Sequence, residues 1–479
     1  MDTFGIRLIL WQPSVNALLN KARNIFLTRK AVNLLERRAH MNVTSSYNVE
    51  VVGANAIFRE TTKLYRSALA FLIGVFHSEW PVLQNIKNAK ERFNAAEHLI
   101  HETKRNSAKY DFDVRFPKMP SYLRRAVTQE ALGCVSSYIA NHTNWVTSGK
   151  QGKEPKLQVE RFAMPTFYNK EMYSVSEDPY SAYLKLYCGN DWVWVKVQLR
   201  GTDVRYLKRY WQHCKPSAPT LEKRYGKYYL RFAFAEKVEL SETPVLDQRI
   251  CAVDLGLNSD AVCSIISADG TVLARKFVNF PSEKDHLWHV LNRIRRYQRE
   301  HGSQNVQSFW KYARRLNDEL AKKIASAITD FAVLYSVDCV VFEYLDFRGK
   351  KAKGSKAQRI QMWRKNGIQQ YAEHKAHRCG IRVSHICAWG TSKLAFDGSG
   401  EIVRDETNRA LCTFRSGKRY NCDLSASYNI GARYFIRELL KPLSAMARSD
   451  IEAKVPGCQR RTSNTLSTLR ALTAVLKTA

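Results

Sequence analysis

The sequence predicts a multidomain α+β protein in which a β-rich region carrying an inserted helical module precedes an α/β domain. Three observations predict it. Apolar residues recur at three- and four-residue intervals from about 54 to 145, as in "ANAIFRETTKLYRSALAFLIGVFHSEW", which is the helical period. From about 155 to 246 the period shortens to two, most clearly in "WVWVKVQLRG". From about 248 short apolar runs alternate with long amphipathic stretches, the pattern of a sheet with crossover helices. A chain of 479 residues is long enough for two or three domains.

The elements follow in order. Residues 1–46 are a basic N-terminal extension, and "NKARNIFLTRKAVNLLERRAH" reads as a basic amphipathic helix. Met41 stands just ahead of "NVTSSYNVEVV", so the first 40 residues read as an appendage or an over-extended gene start. Residues 47–246 read as a β-barrel with a helical module, about 54–150, inserted after the strand from Val49 to Val52. "KRYGKYYLRFAFAEKV" is a hairpin around Gly226. Residues 247–389 open with the buried strand "RICAVDLGLN" and a hairpin whose turn is Asp269-Gly270. An arginine-rich helix (283–302) and a longer helix then lead to the buried strand "DCVVFEYLDF". A further helix and the strand "IRVSHICAWG" precede a loop-rich insert (390–420), and a helix follows Asp423 within 421–442. The tail, 443–479, is polar and is expected to be loosely held.

Charge narrows the function. Seventy-six Lys and Arg against 44 Asp and Glu give +32, a field that attracts polyanions, and for a large soluble chain that means nucleic acid. No run approaches the ~18 consecutive apolar residues of a membrane span. "MDTFGIRLILWQPSV" lacks the basic n-region and cleavage site of a signal peptide. The eleven cysteines are scattered, with Cys251, Cys263 and Cys339 inside apolar runs, which fits reduced core thiols in the cytoplasm.

Two acids stand at the ends of apolar strands: Asp254 after "ICAV" and Glu343 after "CVVF". An ionised carboxylate there is costly unless it is hydrogen-bonded or binds a cation. Either one alone reads equally as a strand-end cap. Two in one α/β domain, both at the C-terminal ends of strands, point to a site. Asp423, which precedes "LSASYNIGARYF", reads both as the helix N-cap and as a third ligand. The order strand-Asp, hairpin, helices, strand-Glu, helix, strand, insert, Asp-helix is that of a ribonuclease-H-like domain. In such a domain three distant carboxylates offer hard oxygen ligands to two Mg²⁺ or Mn²⁺ ions.

The segments "AVDLGLN", "VVFEYLDF" and "NCDLSASYNI" resemble the split RuvC motifs of TnpB, the RNA-guided nuclease of insertion sequences, and equally those of the miniature type V CRISPR effectors. The resemblance extends over residues 47–441. It implies that Asp254, Glu343 and Asp423 are the catalytic metal ligands. It further implies a wedge barrel with a helical recognition lobe, then a RuvC domain whose helix 283–302 is the bridge helix. The implied partners are a guide RNA and target DNA, the implied location is a prokaryotic cytoplasm and its nucleoid, and a monomer is favoured over a dimer. The implied function is an RNA-guided DNA endonuclease acting beside a short duplex motif. An RNA-guided DNA binder or repressor without cleavage and a transposition accessory protein are the alternatives.

The family pattern fails in the insert. Its members carry a four-cysteine zinc ribbon after Thr-Ser; here Thr391 and Ser392 are followed by Ala395 and Gly398, and Cys412 faces Arg415. No CxxC occurs anywhere, so no zinc is expected. His374, His377, Cys379, His385 and Cys387 form a weak rival set on a basic helix and the strand after it. Ser425 stands where the family favours Asn. Candidate nucleic-acid contacts are Arg293, Arg296 and Arg299 on the 283–302 helix, which read equally as a solvated face. Others are Lys350, Lys351, Lys353, Trp363 and Arg364 in a basic segment expected to act as a lid beside Glu343, with Trp363 reading equally as a core residue. Arg415, Lys418 and Arg419 complete them in the insert.

Overall fold

The computed structural model describes residues 40–53, 56–158, 163–168, 170–224, 226–302, 305–344 and 362–478. The chain divides into two compact units, Thr44–Glu236 and the region from Lys237 onward. No helix among the described residues is long and apolar enough to cross a membrane.

The first unit opens on β1 (His40–Val52), followed by α1 (Arg59–Ser78), α2 (Trp80–Leu83), α3 (Ala89–Ile100), α4 (Phe112–Arg115) and α5 (Ser121–Thr147). The expected helical module therefore sits where the three- and four-residue period placed it. Tyr65, Leu69, Leu72 and Phe76 form the buried face of α1, and Leu123, Val127, Ala131 and Val135 that of α5. The Asn88 side chain starts α3 by accepting from Lys90 N at 2.9 Å and Glu91 N at 3.4 Å.

Then come β2 (Tyr173–Val175), β3 (Ser181–Cys188), β4 (Asp191–Leu199), α6 (Gly201–Trp211), β5 (Thr220–Arg224) and β6 (Lys227–Glu239). Six strands form one sheet in the order β2-β3-β4-β1-β6-β5. Gly189 and Asn190, at φ +57° and +65°, make the two-residue turn of the β3–β4 hairpin, the backbone that a tight right-twisted hairpin requires. Gly226, at φ +84°, turns β5 into β6 as its sequence suggested.

The second unit is built on β7 (Arg249–Leu255), β8 (Ala261–Ser267), β9 (Val272–Val278), β10 (Cys339–Tyr344) and β11 (Arg382–Cys387). The sheet order is β11-β10-β7-β8-β9. β11, β10 and β7 run parallel, while β7–β8 and β8–β9 are antiparallel. The Asp269-Gly270 turn is held by Asp269 Oδ1, which accepts from Thr271 N at 3.0 Å and from Ser267 Oγ at 2.6 Å. Between the strands lie α7 (Pro281–His301), α8 (Gln307–Leu334) and α9 (Lys365–Arg378); β12 (Val403–Arg404), β13 (Leu411–Thr413), β14 (Arg419–Asn421), α10 (Cys422–Leu440), α11 (Ala445–Lys454) and α12 (Leu466–Thr478) follow.

The period-two alternation of β7 splits the core in two. Cys251, Val253 and Leu255 pack with α8 and α9, while Ile250 and Ala252 pack with α10 and α12. α10 seats closely because residue 431 is glycine: a Cβ there would lie 2.6 Å from Ile266 Cδ1 and 3.3 Å from Ala252 Cβ. The expectation of a loosely held tail is corrected. Leu466, Leu469 and Leu472 of α12 are buried in the core, and Arg470 donates to Gly270 O at 3.1 and 3.2 Å. Three leucines at three-residue spacing, diluted by Ser and Thr, supply that apolar face.

The 390–420 insert holds the three-stranded sheet β12-β13-β14 around a small core of Ala395, Cys412, Phe414 and Cys422, flanked by Phe396, Ile402 and Tyr420. Burial pushes the Cys412 thiol up to about 12, with the neighbouring Cys422 thiol adding to it. Both thiols are therefore protonated core residues in this arrangement.

Candidate active site

Register brings the first two acids together. The parallel β7–β10 ladder pairs Val253 with Phe342, and one step beyond that pair stand Asp254 and Glu343. Each is the penultimate residue of its strand. Counting by twos from Ile250 and Ala252, and from Cys339 and Val341, puts both carboxylates on the face that α10 covers. Asp423 lies in the first turn of α10.

One expectation is corrected here: Asp423 does not cap its helix. The cap is Asn421, whose Oδ1 accepts from Asp423 N at 3.0 Å and Leu424 N at 2.9 Å. The Asp423 carboxylate is thereby released from capping, while the positive end of α10 still favours its charge.

The site carries more negative charge than it balances. Burial pushes the Asp254 carboxyl well above its usual range, and the charges of Glu343 and Asp423 push it further; Arg404 alone acts against them. Glu343, 8 % exposed, is raised by burial, with the Thr391 hydroxyl and the Arg433 charge opposing. Asp423 is raised by burial and opposed by Arg404. Three hard oxygen donors that together resist ionisation are the donor set a divalent cation satisfies. Among the described residues only one trio of ligand atoms lies within 4.8 Å, and it belongs to the other unit.

The sign of the pH dependence follows. A carboxyl whose folded-state pKa is raised contributes stability that is fully present below its unfolded value, about 3.9 for Asp, and lost as pH rises through the folded value. Without divalent ions, Asp254→Asn should therefore melt above the wild type at pH 8, by on the order of 1 kcal/mol, and the gap should close toward pH 4. Calorimetry in chelator at the two pH values reads it; a variant that melts lower at pH 8 contradicts the charge balance.

Neighbouring groups hold the acids. The Thr391 hydroxyl donates to Glu343 Oε1 and lies 2.9 Å from Ala388 O. Gln369 Nε2 donates to Glu343 O at 2.9 Å. Sequence reasoning missed a buried polar stripe along α10, Ser425, Asn429 and Arg433, spaced four residues apart. Ser425 Oγ donates to Leu394 O at 3.3 Å and accepts from Phe396 N at 3.2 Å. Asn429 Nδ2 donates to Thr391 O at 3.1 Å and Leu394 O at 2.8 Å. The stripe therefore ties the start of the insert, including Thr391, to the helix that carries Asp423. Its signal was legible as polar residues at i, i+4 and i+8 within an apolar helix. Thr391→Val, which keeps the shape and removes the donor, should lower metal affinity or activity roughly 10–100-fold. A titration with Mg²⁺ reads this, and an unchanged half-saturation refutes it.

The expected nucleic-acid contacts divide. Arg293, Arg296 and Arg299 are all exposed on α7, with the Arg293 guanidinium 5.7 Å from the Phe309 ring centroid. Trp363 is half-buried against the core beneath α8 and α9. Arg364 is exposed but ion-paired with Asp318 at 2.6 Å. Lys350, Lys351 and Lys353, with most of the expected lid, lie outside the described residues. In the insert Arg415, Lys418 and Arg419 are exposed; Lys418 lies 5.0 Å from the Phe396 ring centroid, and Arg419 pairs with Asp405 at 3.1 Å. Arg404, exposed on β12 of the insert, acts electrostatically on both Asp254 and Asp423.

Comparison with known proteins gives the following. A sequence profile of the Aq_aa04 family matches residues 43–188. A TnpB-like protein, aq_aa05 of Aquifex aeolicus (strain VF5), is 26% identical over 234 residues, covering 44% of this chain and 74% of that protein. Among solved structures, the mini-RNA-guided endonuclease CRISPR-Cas phi3 aligns with a TM-score of 0.49 at 10% identity, over 88% of this chain and 97% of that one. A Cas12f1–sgRNA–target DNA complex aligns with a TM-score of 0.46 at 14% identity, over 71% of this chain and 74% of that one. The TnpB resemblance carried by the three acidic segments is matched by the likeness to the Aquifex protein.

Proposed function

We propose that this chain is an RNA-guided DNA endonuclease of the TnpB and type V kind, with one RuvC-type site made by Asp254, Glu343 and Asp423. One observation carries the proposal: two penultimate strand residues and the first turn of α10 bring three carboxylates to one sheet face, where burial and the charges of Glu343 and Asp423 raise Asp254. The strand order, with an antiparallel β7–β8–β9 meander followed by parallel β10 and β11, supports reading this unit as ribonuclease-H-like. The six-stranded unit with its helical insert is read as the wedge and recognition region.

Asp254, Glu343 and Asp423 would hold two Mg²⁺ or Mn²⁺ ions, hard cations matched by carboxylate oxygens. Bound there, they would supply activation of the attacking water and charge stabilisation for phosphodiester hydrolysis. The chain's own residues do the positioning. The β7–β10 register fixes Asp254 beside Glu343, Thr391 orients the Glu343 carboxylate, and Asn421 leaves the Asp423 carboxylate free to ligate. Exposed Arg293, Arg296 and Arg299 would meet phosphates without choosing sequence, so target choice falls to guide pairing.

The test is to purify the chain with its RNA, sequence that RNA, and supply a plasmid bearing the matching sequence beside randomised flanks. Mg²⁺-dependent, ribonuclease-sensitive cutting at the matched site is expected. Matched binding without any cutting would favour a repressor instead.

A further inference from the structure

The β-sheet unit holds a second set of metal-ligating side chains. After α6 ends at Trp211, the chain turns and runs antiparallel to β6, with Pro216 bridged to Phe234 and Ser217 N donating to Ala233 O at 2.8 Å. This bridge brings the turn after α6, which carries His213 and Cys214, alongside the part of β6 that carries Glu236. One ligand atom from each of His213, Cys214 and Glu236 lies within 4.8 Å of the other two, the only such trio among the described residues.

The spacing separates two explanations. His213 Nε2 stands 3.7 Å from Glu236 Oε1, beyond the 2.7–3.2 Å of an N–H···O hydrogen bond. Two ligands on one tetrahedral zinc, each about 2.0–2.2 Å from it, are held about 3.4 Å apart. The pair is thus wide for a hydrogen bond and a few tenths of an ångström from joint coordination. The imidazole is also oriented in advance: its ring lies nearly parallel to Trp211, centroids 6.1 Å apart at 17°. Trp211 is itself buried between Tyr47 and Phe234, at 5.1 and 4.9 Å.

We infer that His213, Cys214 and Glu236 form a zinc-type site, since imidazole, thiolate and carboxylate together suit a borderline-soft divalent ion. Binding releases the Cys214 proton to solvent as the sulfur–metal bond forms. His213 is exposed and its two partners are half-buried, so a fourth position stays open to water or an incoming ligand. The bound ion ties the end of α6 to β6. The expectation of no zinc rested on the absence of paired thiolates along the sequence, whereas this set is assembled across a β-bridge.

The full-length chain, stripped with chelator and titrated with Co²⁺, provides the test. One cobalt per chain should give a thiolate-to-metal charge-transfer band that Zn²⁺ abolishes. Cys214→Ser should remove the band, and His213→Ala should weaken Zn²⁺ binding at least about tenfold. Replacing the exposed Cys379 and Cys387 by Ser should change neither. If Cys214→Ser does not fold, as judged by circular dichroism without metal, Glu236→Gln supplies the comparison through the same loss of affinity. A band that persists in Cys214→Ser, or no uptake at micromolar metal, overturns the site and leaves a surface ion pair. The carboxylate site contains no thiolate, so this outcome leaves the nuclease reading standing.

Discussion

Asp254→Ala should reduce target DNA cleavage by about a thousandfold or more while leaving guide-dependent DNA binding within about twofold of the wild type. Metal-assisted catalysis contributes several kcal/mol of charge stabilisation in the transition state, and about 4 kcal/mol corresponds to three powers of ten. Asp254 is the acid on which the other two converge, because both Glu343 and Asp423 raise it electrostatically. On the proposed reading, alanine would leave the remaining two carboxylates one ligand short of the metal site. The fold should tolerate the change, since removing the carboxyl relieves both its burial cost and like-charge repulsion. Binding should persist because the exposed cations of α7 and of the insert are untouched and the chain keeps a large positive charge. Plasmid cleavage and gel-shift assays on the same preparation read both halves. Wild-type cleavage by the variant would sink the catalytic assignment, and loss of both activities together would make Asp254 structural.

Much of this site could be read in the sequence, for a definite physical reason. An acid that ends a run such as "CVVF" has no inexpensive neutral environment, so Asp254 and Glu343 stand out from the residues before them. What the sequence hid was the choice between equivalent local solutions. Asn421 and Asp423 are both good N-caps two positions apart, and only the backbone decides which one spends its side chain on the helix. The Ser425, Asn429 and Arg433 stripe was present as spacing, but its partners in the insert and the C-terminal segment lie dozens of residues away. α12 was hidden by its Ser and Thr, whose polarity masked three leucines on one face. The His213, Cys214 and Glu236 trio depends on a single β-bridge between distant segments, which no local spacing reports.

Arg433→Met should lower stability by about 3–5 kcal/mol, read as a fall in the urea midpoint, and Arg433→Lys should recover only part of it. Arg433 is 4 % exposed, and burial works against its charge. It survives there because its guanidinium fork donates to Cys387 O and Trp389 O at 2.8 Å, Thr462 O at 2.7 Å and Asn464 O at 3.3 Å. These carbonyls belong to two separate pieces of chain: the end of β11 where it runs on toward Thr391, and the segment leading into α12. Methionine fills the volume but leaves the carbonyls without that donor, at about 1–3 kcal/mol for each one that water does not reach. Lysine keeps the charge yet has one compact ammonium where the site needs a planar fork. The same substitution removes a charge that opposes the rise of the Glu343 pKa and loosens the segment bearing Thr391. The Mg²⁺ concentration for half-maximal cleavage should therefore rise as well. A loss of less than about 1 kcal/mol would mean that the four carbonyls find other donors, and that Arg433 is not the tie between the catalytic edge and the C-terminal helices.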